Sequence, residues 1–169
     1  MQADNTGAVL YKLATEFRLT RNTMKDRLML QKTIYLLQMC GLRLGYGFSW
    51  YRYGPYSQEL VFDAYKVLYS EKHKYEERAE TLTFNERTEK WLATFKDALK
   101  KSLDDPQQLE LLASAGFVRA AWHPTRDGFA REFMRHKTRF FDGQQIQAKQ
   151  VEAAYEELDN LRAALLNVN

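Results

Sequence analysis

The run Phe48-Ser49-Trp50-Tyr51-Arg52-Tyr53-Gly54-Pro55-Tyr56-Ser57-Gln58-Glu59-Leu60 constrains the fold more than any other stretch of the chain. From Phe48 to Tyr53 the side chains alternate at the period of a strand, with Phe48, Trp50 and Arg52 on one side and Ser49, Tyr51 and Tyr53 on the other. Both faces carry aromatics. Pro55 fixes its own φ and moves Gly54 out of the helical region, so the strand is expected to end there, with Gly54-Pro55 as the turn. Ser57 then stands where its hydroxyl can accept from a free N–H of a following helix, and Glu59 suits the positive end of that helix. Leu60, Val61, Ala64, Val67 and Leu68 supply its apolar stripe, which ends near Ser70.

Helical periodicity frames this element on both sides. Val9, Leu10, Leu13, Ala14 and Phe17 mark a first helix ending near Leu19, and Leu30, Ile34 and Leu37 mark a second from Leu28 to Cys40, with Gly41 as its stop. Glu71 to Glu80 is so charged that it reads as a solvent-facing connection or a hairpin arm. Thr83 or Asn85 can cap a helix carrying Trp91, Leu92, Phe95, Ala98 and Leu99. Asp105-Pro106 is a cap and first-turn proline, with packing residues expected up to Gly116 and a further short helical turn through Trp122. Phe129, Phe133 and Met134 give a short basic helix after a loop at His123 to Gly128. Val151, Ala154, Tyr155, Leu158, Leu161 and Leu165 give a regular last helix, whose stripe either closes the core or pairs two copies into a homodimer. The expectation is a mainly α chain with a small β element, one compact multi-helix domain over residues 1–169, with a winged-helix-like arrangement left open.

A chain of 169 residues should bury roughly two-thirds of the surface its unfolded form exposes. Its 14% aromatic and 28% charged residues exclude the signature of disorder. The single Cys40 cannot form an internal disulfide, no apolar run reaches a membrane span, and the first residues show no basic-then-apolar leader. A cytoplasmic protein without a membrane partner is expected. The net charge of +3 is unevenly placed, with residues 1–53 and 119–139 basic and 54–118 and 140–169 acidic. Basic segments that meet in space can attract nucleic acid or an acidic protein surface; otherwise they solvate helix faces or dock onto the chain's own acidic segments.

The chemistry-bearing residues are sparse. His73, His123 and His136 lie far apart, and Glu132 with His136 gives two ligands at helical spacing, too few for a catalytic zinc site. Cys40 reads as a small core residue on an apolar helix face. No phosphate loop, serine elbow or HExxH motif occurs, so no catalysis and no cofactor is expected. Trp50, Tyr51, Arg52, Tyr53 and Tyr56 are the candidate partner-binding residues: beside Arg52 the aromatics either stack on a partner's groups or fill the core between helices, and the strand can serve as an edge for an added one. Arg126, Arg131, Arg135, Lys137 and Arg139, interleaved with Phe129, Phe133, Phe140 and Phe141, are the candidates for a nucleic-acid surface.

Leu30-Gln31-Lys32-Thr33-Ile34-Tyr35-Leu36-Leu37-Gln38, followed by the Phe48 to Leu60 run, resembles the YwgA-like bacterial proteins. More distantly it resembles the Panacea domain of SocA-type antitoxins, in which a similar LQK helix precedes an aromatic segment and a Tyr-Gly-Pro turn. The likeness covers about residues 25–70. It implies a compact, mostly helical domain without a catalytic motif. It further implies a regulatory module of antitoxin or phage-defence accessory type, partnered by a cognate toxin or defence effector. A nucleic-acid-binding regulator using residues 12–53 and 119–139 is the alternative.

Overall fold

Capping chemistry sets most of the helix boundaries. In the computed structural model, which describes the backbone of residues 3–168 and the side chains of residues 5–168, α1 (Ala3–Glu16) is followed by a polar segment that Thr23 closes. The Thr23 hydroxyl accepts from the Asp26 N–H at 3.1 Å and the Asp26 carboxylate accepts from the Thr23 N–H at 2.9 Å, a reciprocal box that starts α2 (Met24–Met39). The Asp26 carboxyl is held below its usual range by that backbone hydrogen bond. Ser57 caps α3 (Gln58–Tyr65), which continues through a π-helical turn, Lys66–Ser70. Asn85 caps α5 (Glu86–Ala98), and Asp105 with Pro106 opens α6 (Pro106–Trp122). The short α7 (Phe129–His136) and the long α8 (Ala148–Leu166) complete the chain.

The fold is mainly α with one small antiparallel sheet among the described residues. Strands β1 (Ser49–Tyr51) and β2 (Gly54–Tyr56) pair Ser49 with Tyr56, Trp50 with Pro55 and Tyr51 with Gly54. The reversal therefore falls on Arg52-Tyr53, not on Gly54-Pro55. Proline is tolerated in β2 because this two-stranded ribbon leaves one side of each strand free of ladder bonds, and the Pro55 carbonyl is used by a side chain instead. Gly54 sits at φ +88, where a side chain is strained.

Two further expectations are corrected. Glu71 to Glu80 is neither connection nor hairpin arm but helix α4 (Lys72–Thr81), because Tyr75 and Ala79 supply one buried face against α1 while the charges stay outside. Gly116 does not stop a helix. It lies within α6, and a Cβ there would come 2.5 Å from Met39 Sδ, so the glycine is what lets α6 approach α2.

That approach organises the molecule. α6 lies between α2 on one side and α8 on the other, burying Leu109, Leu111, Leu112, Ala113, Ala115 and Val118 completely. α5 and α7 cover α8, α1 packs on α4, and β2 is held against α2 and α6. The apolar face of α8, Val151, Ala154, Leu158, Leu161 and Leu165, is buried within the chain, as one of the two expectations for it required. No helix among the described residues is long and apolar enough to cross a membrane.

Candidate functional site

The ribbon is fastened to α2 by side chains from two successive residues. The Gln31 amide donates from Nε2 to the Ser57 carbonyl at 2.8 Å and accepts from the Ser57 N–H at 2.9 Å, acting as a strand would. Lys32 Nζ donates to the Pro55 carbonyl at 2.7 Å. About two helical turns further on, Gln38 repeats the device on Tyr46, donating to its carbonyl at 2.6 Å and accepting from its N–H at 3.0 Å. Backbone groups that a two-stranded sheet cannot satisfy are thus met by amide side chains. The Leu-Gln-Lys sequence and the Tyr-Gly-Pro-Tyr-Ser sequence are two halves of one clasp.

Behind the clasp lies a buried group of charges. Glu110 of α6 has no exposed surface, Lys32 is 3% exposed and Lys137, just past α7, is 5% exposed. Glu110 Oε1 and Lys137 Nζ form an ion pair at 2.5 Å, without the angles of a hydrogen bond, and Oε2 accepts from the Phe141 N–H at 2.9 Å. Burial raises the Glu110 carboxyl above the ordinary range, against the pull of Lys137. Burial also lowers the Lys32 amine, from 10.5 to about 7, with Glu110 opposing the shift and Lys137 adding to it. Two amines therefore share one carboxylate in a low-dielectric setting. Ser114 Oγ, beside Gly54, is buried without a hydrogen-bond partner.

In front of the clasp is a cavity of about 440 Å³. Leu28, Leu30, Val61 and Ala64 give it apolar walls, and Tyr51, Tyr53, Gly54 and Tyr56 of the ribbon close one side. Arg21, Arg27 and Lys32 supply its charge; no acidic side chain lines it. Neither arginine has an acidic partner among the described residues. Arg21 instead lies over the rings of Tyr65 and Tyr69, at 5.1 and 5.7 Å, and its Nη1 is buried without a hydrogen-bond partner. The mouth continues into exposed aromatics. Tyr51 is 62% exposed and stacks on Tyr56 at 5.3 Å, and Phe62, Tyr65 and Tyr69 stand out from α3 and the π-turn.

The five partner-binding candidates are divided by this arrangement. Tyr51, Tyr53 and Tyr56 line the cavity. Arg52 is exposed at the ribbon's tip, 5.4 Å from the Tyr53 ring. Trp50 points the other way, into a cluster with Phe117, Trp122 and His136 at ring distances of 5.6, 5.2 and 6.3 Å. The basic segment is largely engaged within the chain. Arg126 pairs with Glu152 and Glu156 of α8 and lies over the Tyr155 ring, Arg135 pairs with Glu132, Arg139 donates to the Gly143 carbonyl, and Lys137 is buried on Glu110. Arg131 is exposed. His136 Nε2 and Glu132 Oε1 meet at 3.0 Å, as their helical spacing suggested, and the described residues hold no group of three His, Cys, Asp or Glu able to bind a metal. Burial pushes the Cys40 thiol up to about 11, which makes it a poor nucleophile.

Sequence reasoning passed over Lys32, Glu110, Arg21 and Arg27. Glu110 carried a signal: it falls within a run of apolar residues, Leu109 to Ala113, where a solvated acid is out of place. Lys32 carried one too, standing between Leu30 and Ile34 amid the apolar residues of α2. The two arginines gave none beyond their place in the basic segment 12–53, since they meet the ribbon only in three dimensions. No family model matches the chain, and neither the curated proteins nor the solved structures yield a match.

Proposed function

We propose that this chain is a non-enzymatic interaction module, of antitoxin or defence-accessory type, that docks a protein partner through the cavity between the ribbon, α2 and α3. The observation that carries the reading is the join of an apolar cavity to a rim of exposed aromatics. Tyr51, Tyr65 and Tyr69 are held in stacked pairs with Tyr56 and each other rather than buried, and such aromatic groups at the mouth of a pocket are what protein interfaces use as anchors. The antitoxin class rests on the likeness of residues 25–70 to the YwgA-like and Panacea proteins. The engagement of Arg126, Arg135 and Lys137 by acidic side chains of the same chain favours this reading over a nucleic-acid surface at 119–139.

The test is selection from two displayed peptide libraries against the full chain, one library with free carboxyl ends and one with the random segment embedded in a loop. Peptides enriched on the native chain and lost on Tyr51→Ala and Tyr65→Ala variants support docking at this rim. Failure to enrich from either library, or enrichment indifferent to both substitutions, overturns it.

A further inference from the structure

We propose that the cavity is a carboxylate site, and that its occupant is the carboxyl-terminal residue of a partner chain, with an apolar or aromatic side chain. The inference rests on the docking reading and names the partner's anchor.

The charges argue for an anion. Three cationic side chains, Arg21, Arg27 and Lys32, line one cavity with no acidic residue among its walls, and neither arginine has an ion-pair partner among the described residues. Behind the wall, Glu110 serves both Lys32 and Lys137, so the buried group carries one positive charge in excess when both amines are protonated. Lys32 makes one hydrogen bond, to Pro55, of the three an ammonium can give. A carboxylate in the cavity supplies the missing countercharge and hydrogen-bond acceptors together.

Size and lining argue for a chain end. A volume of about 440 Å³ is that of a small-ligand pocket and holds roughly a residue or two. It offers little room for a segment that enters and leaves. A terminal residue brings a carboxylate and an apolar side chain on one Cα, which matches cationic and apolar walls in the same cavity, and capture of chain termini is an established mode of peptide recognition.

Linkage gives the site a pH signature. The groups facing Lys32 are Glu110 from α6, Lys137 beyond α7 and the Pro55 carbonyl of β2, and Arg21, Arg27, Tyr51, Tyr53 and Tyr56 line the same cavity. Of these, Lys32 changes charge near neutrality, with its amine at about 7. An anion that requires the protonated amine binds about tenfold more weakly at pH 8 than at pH 6.

The probes are N-acetyl-leucyl-phenylalanine, its carboxamide, and N-acetyl-glutamyl-phenylalanine amide, titrated into the full chain and followed by amide chemical shifts. The free acid is expected to bind at least tenfold more tightly than the carboxamide, to weaken about tenfold from pH 6 to 8, and to lose its advantage in Arg27→Gln and Lys32→Met chains. Arg27 is exposed, so its substitution tests the site even where Lys32→Met disturbs folding. Equal binding of acid and carboxamide overturns the carboxylate site. Tightest binding by the glutamyl amide overturns the chain-end assignment in favour of an acidic side chain. Enrichment from the embedded library alone, with no acidic preference, would leave docking standing while this inference falls; a preferred free acid with no enrichment from either library would overturn docking and the chain-end occupant together, leaving a site for a small carboxylate.

Discussion

Lys32 and Pro55 are joined by a single hydrogen bond, the amine donating to the carbonyl at 2.7 Å, across 23 residues of sequence. The bond fixes the ribbon to α2, so the same side chain that lines the cavity also holds one of its walls. Structure and site are coupled at this point, and the experiments that separate them turn on Lys32 and its neighbours.

Lys32 gives stability a slope with pH. Its amine lies at about 7 in the folded chain and near 10.5 when unfolded. Between those values the unfolded chain holds a proton that the folded chain has released, so stability rises with pH across that window; below 7 both forms are protonated and the full burial cost applies. From pH 6.5 to 8.5 the urea midpoint of the native chain is expected to climb relative to that of Lys32→Met. Cys40, raised from 9 to about 11, acts in the opposite sense but only above that range. Parallel profiles for the two proteins would show that Lys32 does not titrate there.

Gly54 is fixed by two separable constraints. Its φ of +88 disfavours any side chain, and an added Cβ would overlap Ser114 Oγ while standing 3.3 Å from Ser114 Cβ. Gly54→Ala is expected to cost about 2–4 kcal/mol in chemical denaturation, combining backbone strain with overpacking. In a Ser114→Ala background the overlap disappears and the strain remains, so part of the loss should return. Ser114→Ala alone should be neutral or stabilising by about 1 kcal/mol, because it removes a buried hydroxyl without a partner. Identical costs for Gly54→Ala in both backgrounds would refute the steric half.

The helices were legible because their signals are local. Ser57, Asn85 and Asp105 announce caps, and the stripes of α5 and α8 mark helices plainly. Gly116 misled because its reason is a neighbouring helix, invisible in a one-dimensional pattern, and α4 because two buried residues in ten suffice when α1 lies beside them. The Gly54-Pro55 turn misled more instructively. Proline disfavours a strand unless the strand's free side faces something other than backbone, and here that something is the Lys32 amine. Of the site, the ribbon tyrosines could be named from sequence. The alternation already set Trp50 on the side opposite Tyr51 and Tyr53, but which of the two sides meets α6 could not be read from it.

Glu110 should be the costliest residue of the buried charge group. Glu110→Gln leaves Lys32 and Lys137 buried with no countercharge, and is expected to destabilise by about 3–5 kcal/mol. Lys137→Met leaves Glu110 with the charge of Lys32 acting on it through space and should cost less. The pair of measurements, by urea denaturation at pH 6, below the Lys32 value of about 7, checks the ordering. A greater loss from Lys137→Met would mean that Lys32 contributes no compensation to Glu110.

Trp50 and Tyr51 are adjacent in sequence and should respond in opposite ways. Trp50 is packed against Phe117 and Trp122, so Trp50→Ala opens a gap between β1 and the end of α6 and is expected to cost about 2–4 kcal/mol. Tyr51 is mostly exposed and gives up little beyond its stack on Tyr56, so Tyr51→Ala should cost about 1 kcal/mol. Denaturation midpoints check both values, and the dispersion of amide resonances shows whether the Tyr51 variant keeps its fold. This asymmetry decides how binding data are read: a partner lost with Trp50→Ala reports on folding, whereas a partner lost with a folded Tyr51→Ala chain reports on the rim. If Trp50→Ala proves as mild as Tyr51→Ala, the ribbon is not held to α6 by this cluster, and the clasp of Gln31 and Lys32 alone positions the site.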